Sequence, residues 1–283
     1  MSEQQTPHEW SHGQFLNKAQ RYAEKMLAQD RDSWEFGFWS ALALEMLARA
    51  AMSSISPTLV ADSSKWENLY YALGHDPTSK KFSPRTAATT DILKRLESIM
   101  PEFTPEMLNF AVTHSERRNS ELHSGSLPFD ELGTAKWLPQ YYSVMDSLLK
   151  FLGCDLAMLF GMDEAKAAKT LIDSLLDEAS KAVRASINGH NTVWKEKSED
   201  TREELSVRAK TLASRRIGHR VSCPSCGSTA LLHGSSIGSP QTSIEDDQIV
   251  ERQSMLPTRF ECFACELKIA GYSRLSASGL GDS

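Results

Sequence analysis

The sequence predicts a mainly α protein that consists of a helical bundle, a helical arm and a small β module at the C-terminus. Three observations lead to this prediction. Apolar residues recur at helical spacing through the first half of the chain, the helical spacing continues in a highly charged segment, and the final part becomes strand-like and rich in turn residues. We therefore expect a helical domain at 1–162, a helical arm at 163–218, a β module at 219–275 and a flexible tail at 276–283.

One segment of the helical domain, residues 34–52, is apolar on nearly all sides. A helix of this kind lies at the centre of a core or in an interface. Because the segment has more apolar surface than one small domain easily buries, we predict a homodimer through the helical domain. Glu45 lies inside the segment, and a carboxylate in apolar surroundings needs a partner. It either reaches solvent or a helix cap, or it pairs with a functional base.

The composition excludes some classes of protein. A net charge of −6 does not attract nucleic acid or a membrane surface. The chain has no run of about eighteen apolar residues, so we expect no membrane-spanning helix and no membrane partner. The N-terminal segment lacks the basic and apolar regions of a secretory signal. We therefore expect a cytoplasmic protein.

Four of the five cysteines form two Cys-x-x-Cys pairs, Cys223 with Cys226 and Cys262 with Cys265. Each pair can close a tight turn with both sulfurs facing one point, and two such turns supply the four thiolates of a tetrahedral zinc site. The alternative is free or disulfide-bonded cysteines, but pairs of this spacing in a reducing compartment are typical of metal binding. Because four thiolates leave no open coordination position, we predict one structural Zn²⁺.

The sequence around the second pair resembles the second knuckle of a zinc ribbon, in which a strand enters, turns at the metal and leaves. His219 and His233 are alternative ligands, although four thiolates already complete the shell. The fifth cysteine, Cys154, lies in an apolar run and is expected to be a small buried side chain. Strands are predicted at 219–223, 229–234, 258–262 and 267–275, with a polar loop at 234–248 between the second and the third.

The charge of the C-terminal half leaves its binding partner open. The zinc ribbon contains five basic and six acidic residues between positions 219 and 275, so a protein partner is as compatible with it as a nucleic acid. The preceding arm ends in a basic stretch at 202–220. This stretch is interpreted equally well as a phosphate-binding surface and as a solvated helix face.

A helix with clear end signals contains the most informative motif of the helical domain. Thr104 is a predicted N-cap followed by proline, and the helix is expected to end near Gly125. Its last turns read Arg-Asn-Ser-Glu-Leu-His, from Arg118 to His123. This pattern resembles the Arg-x4-His motif of the HEPN superfamily (higher eukaryotes and prokaryotes nucleotide-binding), and the resemblance covers roughly residues 14–162.

The resemblance implies a metal-independent endoribonuclease acting on RNA, in a defence or toxin–antitoxin context, with a groove between two protomers. Histidine titrates near neutrality, so His123 would move protons at the ribose 2′-hydroxyl and at the leaving oxygen. The planar cation of Arg118 would stabilise charge that develops on the phosphate. Asn119 lies four residues before His123 and is predicted to orient it or to contact the substrate. His114 and Arg117 add two basic side chains to the same helix.

Other HEPN domains are not enzymes, so a dimerisation and interaction protein is the alternative function. Residues 1–162 contain fifteen basic and twenty acidic residues, which disfavours a broad RNA-binding surface but allows a local basic cleft. A basic groove around His123 favours the ribonuclease, whereas a His123 buried in packing favours the interaction protein. A zinc-dependent hydrolase is disfavoured because no cluster of His, Asp and Glu has the ligand spacing of an open site.

Overall fold

Helices dominate the chain, and a small antiparallel sheet lies near its C-terminus. The computed structural model describes residues 8–245 and 248–281. The contacts divide the chain into two units, Met1–Ile172 and Asp173–Ser283. No described helix is both long enough and apolar enough to cross a membrane. The predicted fold class is therefore confirmed at the level of a mostly helical chain with a small C-terminal sheet.

The first unit is a bundle of helices joined by short loops. Side-chain caps begin several of them: the Ser33 hydroxyl accepts from the Phe36 amide at 3.3 Å, and the Thr104 hydroxyl accepts from the Met107 amide at 3.4 Å, as the sequence predicts for Thr104. The helices are α1 (His12–Leu27), α2 (Trp34–Ile55), α3 (Trp66–Ala72), α4 (Thr89–Ile99), α5 (Pro105–His123), α6 (Pro128–Glu131), α7 (Leu138–Phe151), α8 (Leu156–Phe160) and the first part of α9 (Met162–Glu196), with short 3₁₀ turns at Pro57–Val60 and Thr134–Lys136.

The apolar helix α2 lies at the centre of this bundle. It packs against α1, α4, α5 and α7, and most of its side chains are buried in the core of the first unit. Gly37 permits a close approach to α6, because a Cβ at this position would collide with the Phe129 ring. Only the ends of the helix expose large apolar side chains, Trp34 and Ile55. The helices of the same chain thus cover the surface from which we predicted a homodimer, and that argument for dimerisation is wrong.

His114 lies fully buried on the core side of α5. Its Nε2 is 2.8 Å from the Ser40 hydroxyl, and this hydroxyl donates to the Gly37 carbonyl at 2.6 Å. Because the hydroxyl hydrogen is already used, Nε2 of His114 is the donor of this hydrogen bond. The rings of Phe110 and Trp137 lie 5.3 and 4.7 Å from the imidazole. Burial in these surroundings lowers the pKa of His114 from 6.5 to about 3.

His114 is expected to make the stability of the fold decrease as the pH falls below 6.5. The unfolded chain binds a proton here below the ordinary pKa of 6.5, whereas the folded chain does so only near pH 3, so unfolding takes up a proton between these values. This residue alone then lowers the free energy of unfolding by about 1.4 kcal/mol per pH unit. Urea denaturation at several pH values between 6.5 and about 3 measures how the free energy of unfolding changes with pH. The variant His114→Phe keeps an aromatic ring and should lack this part of the slope, and equal slopes would contradict the assignment.

The second unit combines helices with a four-stranded antiparallel sheet in the order β1-β2-β3-β4. Its elements are the remainder of α9, α10 (Glu199–Ser214), β1 (His219–Ser222), β2 (Thr229–Glu245), β3 (Gln248–Glu261), β4 (Lys268–Ala270) and α11 (Tyr272–Ala277). The strand β1 pairs with the first four residues of β2, and β4 pairs with the last three residues of β3. Four strands therefore lie side by side only at the end of the sheet that bears the cysteines.

The helices of the second unit share a core with the sheet and do not form the separate arm predicted at 163–218. Trp194 of α9 and Ala209 of α10 are buried in the same hydrophobic cluster as Phe260 of β3. The division between the units falls after Ile172, which differs from the predicted boundaries. High charge on the exposed faces of these helices conceals a sparse apolar face, and the sequence pattern therefore suggested an arm.

The predicted polar loop at 234–248 is mostly part of a long hairpin. The strands β2 and β3 pair from Leu231 opposite Glu261 to Glu245 opposite Gln248, with two irregularities on the way. Most described side chains in this part of the hairpin are exposed or half-buried, so no apolar alternation marks the strands. Backbone hydrogen bonds hold such a hairpin, and an apolar pattern does not reveal them. The remaining loop residues, 246–247, lie outside the described part of the chain.

The segment after β4 is folded, whereas the sequence predicts a strand to 275 and a flexible tail at 276–283. The chain enters α11 after Gly271, which has a positive φ of 95°. Leu275 and Leu280 are buried and belong to the hydrophobic cluster of the second unit. These two leucines fix the segment to the core, and a short polar sequence with only two such anchors is easily mistaken for a tail. The last two residues of the predicted tail lie outside the described residues.

Candidate functional site

The two Cys-x-x-Cys pairs lie on two turns of the same geometry. One turn follows β1, and the other connects β3 to β4. In the first turn the amide of Cys223 donates to the Ser228 carbonyl at 2.9 Å, and in the second the amide of Cys262 donates to the Leu267 carbonyl at 2.9 Å. Each first cysteine is thus bonded to the residue five positions later. The chain thus repeats one local structure before β2 and after β3.

Both turns also contain a residue with a positive φ immediately after the second cysteine. Gly227 has a φ of 73°, and Glu266 has a φ of 63°. Glycine adopts this left-handed conformation without steric cost, whereas an L-residue such as Glu266 is disfavoured there by about 1–2 kcal/mol. The fold tolerates this cost at Glu266 because the conformation directs the backbone around the sulfurs.

The four sulfurs of Cys223, Cys226, Cys262 and Cys265 lie within 4.8 Å of one another. Cys223 Sγ is 3.6 Å from Cys265 Sγ, and Cys226 Sγ is 3.6 Å from Cys262 Sγ. All four are free thiols, and a disulfide would bring a pair to about 2.05 Å. Four sulfurs around Zn²⁺ at about 2.3 Å lie about 3.8 Å apart, close to the spacing observed. The cluster is therefore compatible with a metal site.

Mutual hydrogen bonds among the sulfurs separate their proton affinities. The bond with Cys223 lowers the pKa of Cys226 and lowers that of Cys265 to about 7. The bond with Cys226 raises the pKa of Cys223, and the bond with Cys223 raises the pKa of Cys262. Four thiolates at this spacing repel one another, so a bound cation is needed to hold all of them deprotonated, and its binding releases protons.

The metal-ligand clusters found in the described residues consist of these four cysteines alone. His219 and His233, which the sequence left as alternative ligands, are not among them. Cys154 is half-buried, not fully buried as predicted, and its thiol donates to the Leu152 carbonyl at 3.7 Å. The fifth cysteine therefore takes no part in the cluster.

The second candidate site lies on α5 and centres on Arg118. The guanidinium of Arg118 donates to Oε2 of Glu45 on α2, and Nη1 of Arg49 lies 3.2 Å from Oε1 of the same carboxylate. Arg49 also donates from Nη2 to the Ala87 carbonyl at 3.0 Å. Glu45 is thus paired with the candidate functional base, which was the more specific of the two alternatives. Arg49 was not predicted as a partner of Glu45, although its position four residues after Glu45 in an apolar helix was a usable signal.

Asn119 and His123 lie in the exposed part of α5. His123 is the last residue of the helix, and neither side chain has a hydrogen bond or ion pair with another described residue. The structure therefore places Arg118 against Glu45 and leaves His123 and Asn119 facing solvent, without a hydrogen bond that joins the three. A His123 buried in packing would have favoured the interaction protein, but His123 is exposed.

The two other basic residues of the motif helix belong to different surroundings. His114 is a core residue, because its ring packs among aromatic side chains one turn before Arg118. Arg117 is half-buried, burial lowers its pKa, and its Nη1 has no hydrogen-bond partner in the described residues. The sequence grouped these residues with Arg118 and His123, but His114 lies too deep to reach a substrate.

Comparisons with known proteins identify no relative: no family model, no curated protein and no solved structure matches the chain. The assignment of a function therefore rests on the two sites of this chain, namely the cysteine cluster and the α5 residues with their partners on α2.

Proposed function

We propose that the protein is a metal-independent endoribonuclease of the HEPN type. The observation that carries the proposal is the arrangement on α5: Glu45, which is also paired with Arg49, holds Arg118, while His123 and Asn119 remain accessible on the last turns of the same helix. A defence or toxin–antitoxin system is the proposed context.

The charge around Arg118 fits a phosphate. Two guanidinium groups, Arg118 and Arg49, share the single carboxylate of Glu45, so the group carries one net positive charge. Glu45 engages Nη2 of Arg118, and Nε of Arg118 is buried without a hydrogen-bond partner among the described residues. The Arg118 side chain as a whole is 15% exposed, so a substrate oxygen would contact the part of the guanidinium that neither Glu45 nor packing covers. This is a local positive site in a domain with more acidic than basic residues, and it corresponds to the local cleft that the composition allows.

The proposed reaction divides the work between the two residues. His123 takes the proton of the ribose 2′-hydroxyl, whose oxygen attacks the adjacent phosphorus, and the bond to the 5′-oxygen breaks. The protonated His123 returns this proton to the leaving 5′-oxygen, and the products are a 2′,3′-cyclic phosphate and a 5′-hydroxyl. Arg118 stabilises the charge that grows on the non-bridging oxygens. Asn119 lies one turn before His123 and either orients it or contacts the substrate.

Two further elements of the proposal concern assembly and metal. A homodimer would bring two copies of α5 together at one groove, as the HEPN resemblance implies. The cysteine cluster would hold one structural Zn²⁺, and because four thiolates close the shell, the metal supplies no step of the reaction.

A cleft beside the second cysteine turn contains basic, acidic and apolar residues, among them Arg208, Phe263 and Glu266. Such a mixture suits a protein partner better than nucleic acid, and the ribbon would select the target or the partner.

The proposal predicts RNA cleavage without a divalent metal. Purified protein is incubated with total RNA in the presence of EDTA, and elemental analysis of the protein recovered by gel filtration shows whether the structural metal stays bound. We expect fragments that end in 2′,3′-cyclic phosphate, because the 2′-hydroxyl is the nucleophile and no step needs a metal. Cleavage that stops on EDTA addition and returns with Mg²⁺, or fragments with 3′-hydroxyl ends, would contradict the mechanism.

The second candidate function is a dimerisation and interaction protein. The acidic balance of residues 1–162 favours it, since an acidic surface repels RNA. The same experiment separates the two functions. If no RNA is cut even when the cognate trigger is supplied, the interaction protein is the better assignment.

A further inference from the structure

A row of three rings lies on the surface of the first unit, at α3 and the loop that follows it. The Trp66 side chain is 65% exposed and the Tyr70 side chain 39% exposed. Their ring centroids are 5.8 Å apart, and the His75 ring stacks on Tyr70 at 4.7 Å with an angle of 22° between the planes. We call Trp66, Tyr70 and His75 the aromatic row.

The aromatic row is not the core face of its helix. The opposite side of α3 supplies the core contacts, because Asn68 and Ala72 are buried and Leu69 and Tyr71 pack against the hydrophobic core. A helix that already has a buried face gains nothing for folding from a tryptophan on the other face. Large aromatic side chains left in water are typical of binding surfaces.

The sequence segment that contains the row has a charge opposite in sign to that of the domain as a whole. Residues 65–85 contain four basic residues and two acidic ones, whereas residues 1–162 as a whole contain fifteen and twenty. The basic residues Lys65, Lys80, Lys81 and Arg85 are all exposed. A locally basic segment with exposed rings matches a ligand that combines negative charge with aromatic bases.

Hydrogen bonds connect this segment to the Arg118 site. The Arg85 amide donates to the Asn68 side chain at 3.1 Å, which fixes the end of the loop against α3. Two residues later, the Ala87 carbonyl accepts from Arg49, and Arg49 shares Glu45 with Arg118. The aromatic row and Arg118 are therefore attached to one framework of contacts within the first unit.

We infer that the aromatic row is a stacking surface for the unpaired bases of single-stranded RNA, with Lys80 and Lys81 at its phosphates. The inference rests on the proposed function and adds the class of substrate, single-stranded RNA. Every base has a π-face, so rings in a row bind a strand without reading its sequence, and each stacked base contributes substantially to affinity. Lysines in the loop that follows the rings would neutralise phosphates and make binding salt-dependent.

The test measures binding of a short 2′-O-methyl oligouridylate to the intact, zinc-loaded protein. This RNA lacks the attacking hydroxyl and is not cut, so binding is read independently of cleavage. We expect Trp66→Ala to weaken binding about 5- to 150-fold, the range for loss of one stacked base, and Trp66→Phe to restore most of it. In the Lys80→Ala/Lys81→Ala variant, log K should fall less steeply with log salt, with a slope about 1.4 smaller in magnitude than that of the wild type.

Trp34→Ala is the matched control, because Trp34 is 39% exposed at the start of α2 and outside the basic segment. Its binding should equal that of the wild type, and a duplex of the same length should bind more weakly because its bases are paired. Thermal melting checks that each variant is folded. No binding by the wild type, or equal losses in Trp66→Ala and Trp34→Ala, would overturn the inference. A dimer that Trp66→Ala converts to a monomer would assign the row to a second copy of the chain and also overturn it.

The outcome is separable from that of the proposed function. Binding that depends on Trp66 in a protein that cuts no RNA would support the stacking surface and count against the nuclease. Cleavage that proceeds equally well in Trp66→Ala at low RNA concentration would support the nuclease and remove the stacking surface.

Discussion

Replacement of Cys262 by serine is expected to abolish binding of the proposed zinc ion and to unfold the second unit. Cys262 is 1% exposed, and its amide is bonded to Leu267 within the second turn, so the residue serves both the cluster and the backbone that encloses it. Serine retains the size but lacks the thiolate that zinc prefers. Structural zinc sites of this kind contribute about 10–16 kcal/mol of apparent binding free energy at neutral pH, which is as large as the whole stability of a typical domain, about 5–15 kcal/mol.

The measurement combines elemental analysis with thermal unfolding. Wild-type protein purified without oxygen should contain one zinc per chain, and Cys262→Ser should contain little. Cobalt(II) should replace the zinc and show the strong thiolate charge-transfer absorption of a tetrahedral site. The unfolding transition of the second unit should disappear or move to a much lower temperature in the variant.

Cys154→Ser is the matched control for this experiment. Cys154 is a half-buried thiol of the first unit that takes no part in the cluster, so its replacement should leave the zinc content unchanged. Metal-free wild-type protein that unfolds with the same transitions as the loaded protein would show that the cluster has no structural metal. Full occupancy in Cys262→Ser would lead to the same conclusion.

The cysteine cluster was predictable because its signal is local. Two cysteines three positions apart define a turn, and a second pair of the same spacing defines its partner, so four residue identities were enough to predict that the sulfurs meet. The N-cap at Thr104 was predictable for the same reason, since a hydroxyl followed by proline marks a helix start within a few residues.

The identity of the elements that pack against α2 was not predictable, because periodicity reports only that a helix is buried. It does not say whether helices of the same chain or a second protomer bury it. The structure places α1, α4, α5 and α7 of the same chain around it. His114 illustrates a similar limit: a histidine one turn before Arg118 is compatible with a site and with a core, and only the packing of Trp137 and Ser40 decides between them.

The long hairpin was missed because strand pairing between distant residues leaves little trace in a sequence of mixed polar residues.

The contact of Arg118 with Glu45 joins residues far apart in the sequence, and no spacing rule connects them. The sequence indicated that Glu45 needs a partner, which is a statement about desolvation. The identity of that partner, and the addition of Arg49, required the packing of α2 against α5.

Replacement of His123 by alanine is expected to reduce RNA cleavage by about 10²–10⁴-fold, the usual loss when a proton-transferring side chain is removed. His123 is exposed, so the free energy of unfolding of the variant should lie within about 0.5 kcal/mol of the wild-type value. His12→Ala, which removes another exposed histidine of the same unit, should cleave at the wild-type rate. The cyclic phosphate ends released per minute give the rate for all three proteins.

Arg118→Lys tests the second half of the same site. Lysine keeps the charge but cannot present a planar fork to Glu45 and to a phosphate at once, so cleavage should fall even though an ion pair with Glu45 remains possible. Some loss of stability is expected, because Arg118 and Glu45 are largely buried and removal of one partner of such a pair costs about 3–5 kcal/mol, whereas lysine retains part of the pair. Thermal melting separates a folded but inactive variant from an unfolded one. If cleavage survives both His123→Ala and Arg118→Lys in folded protein, the active site lies elsewhere, and α5 then serves only the packing of the bundle.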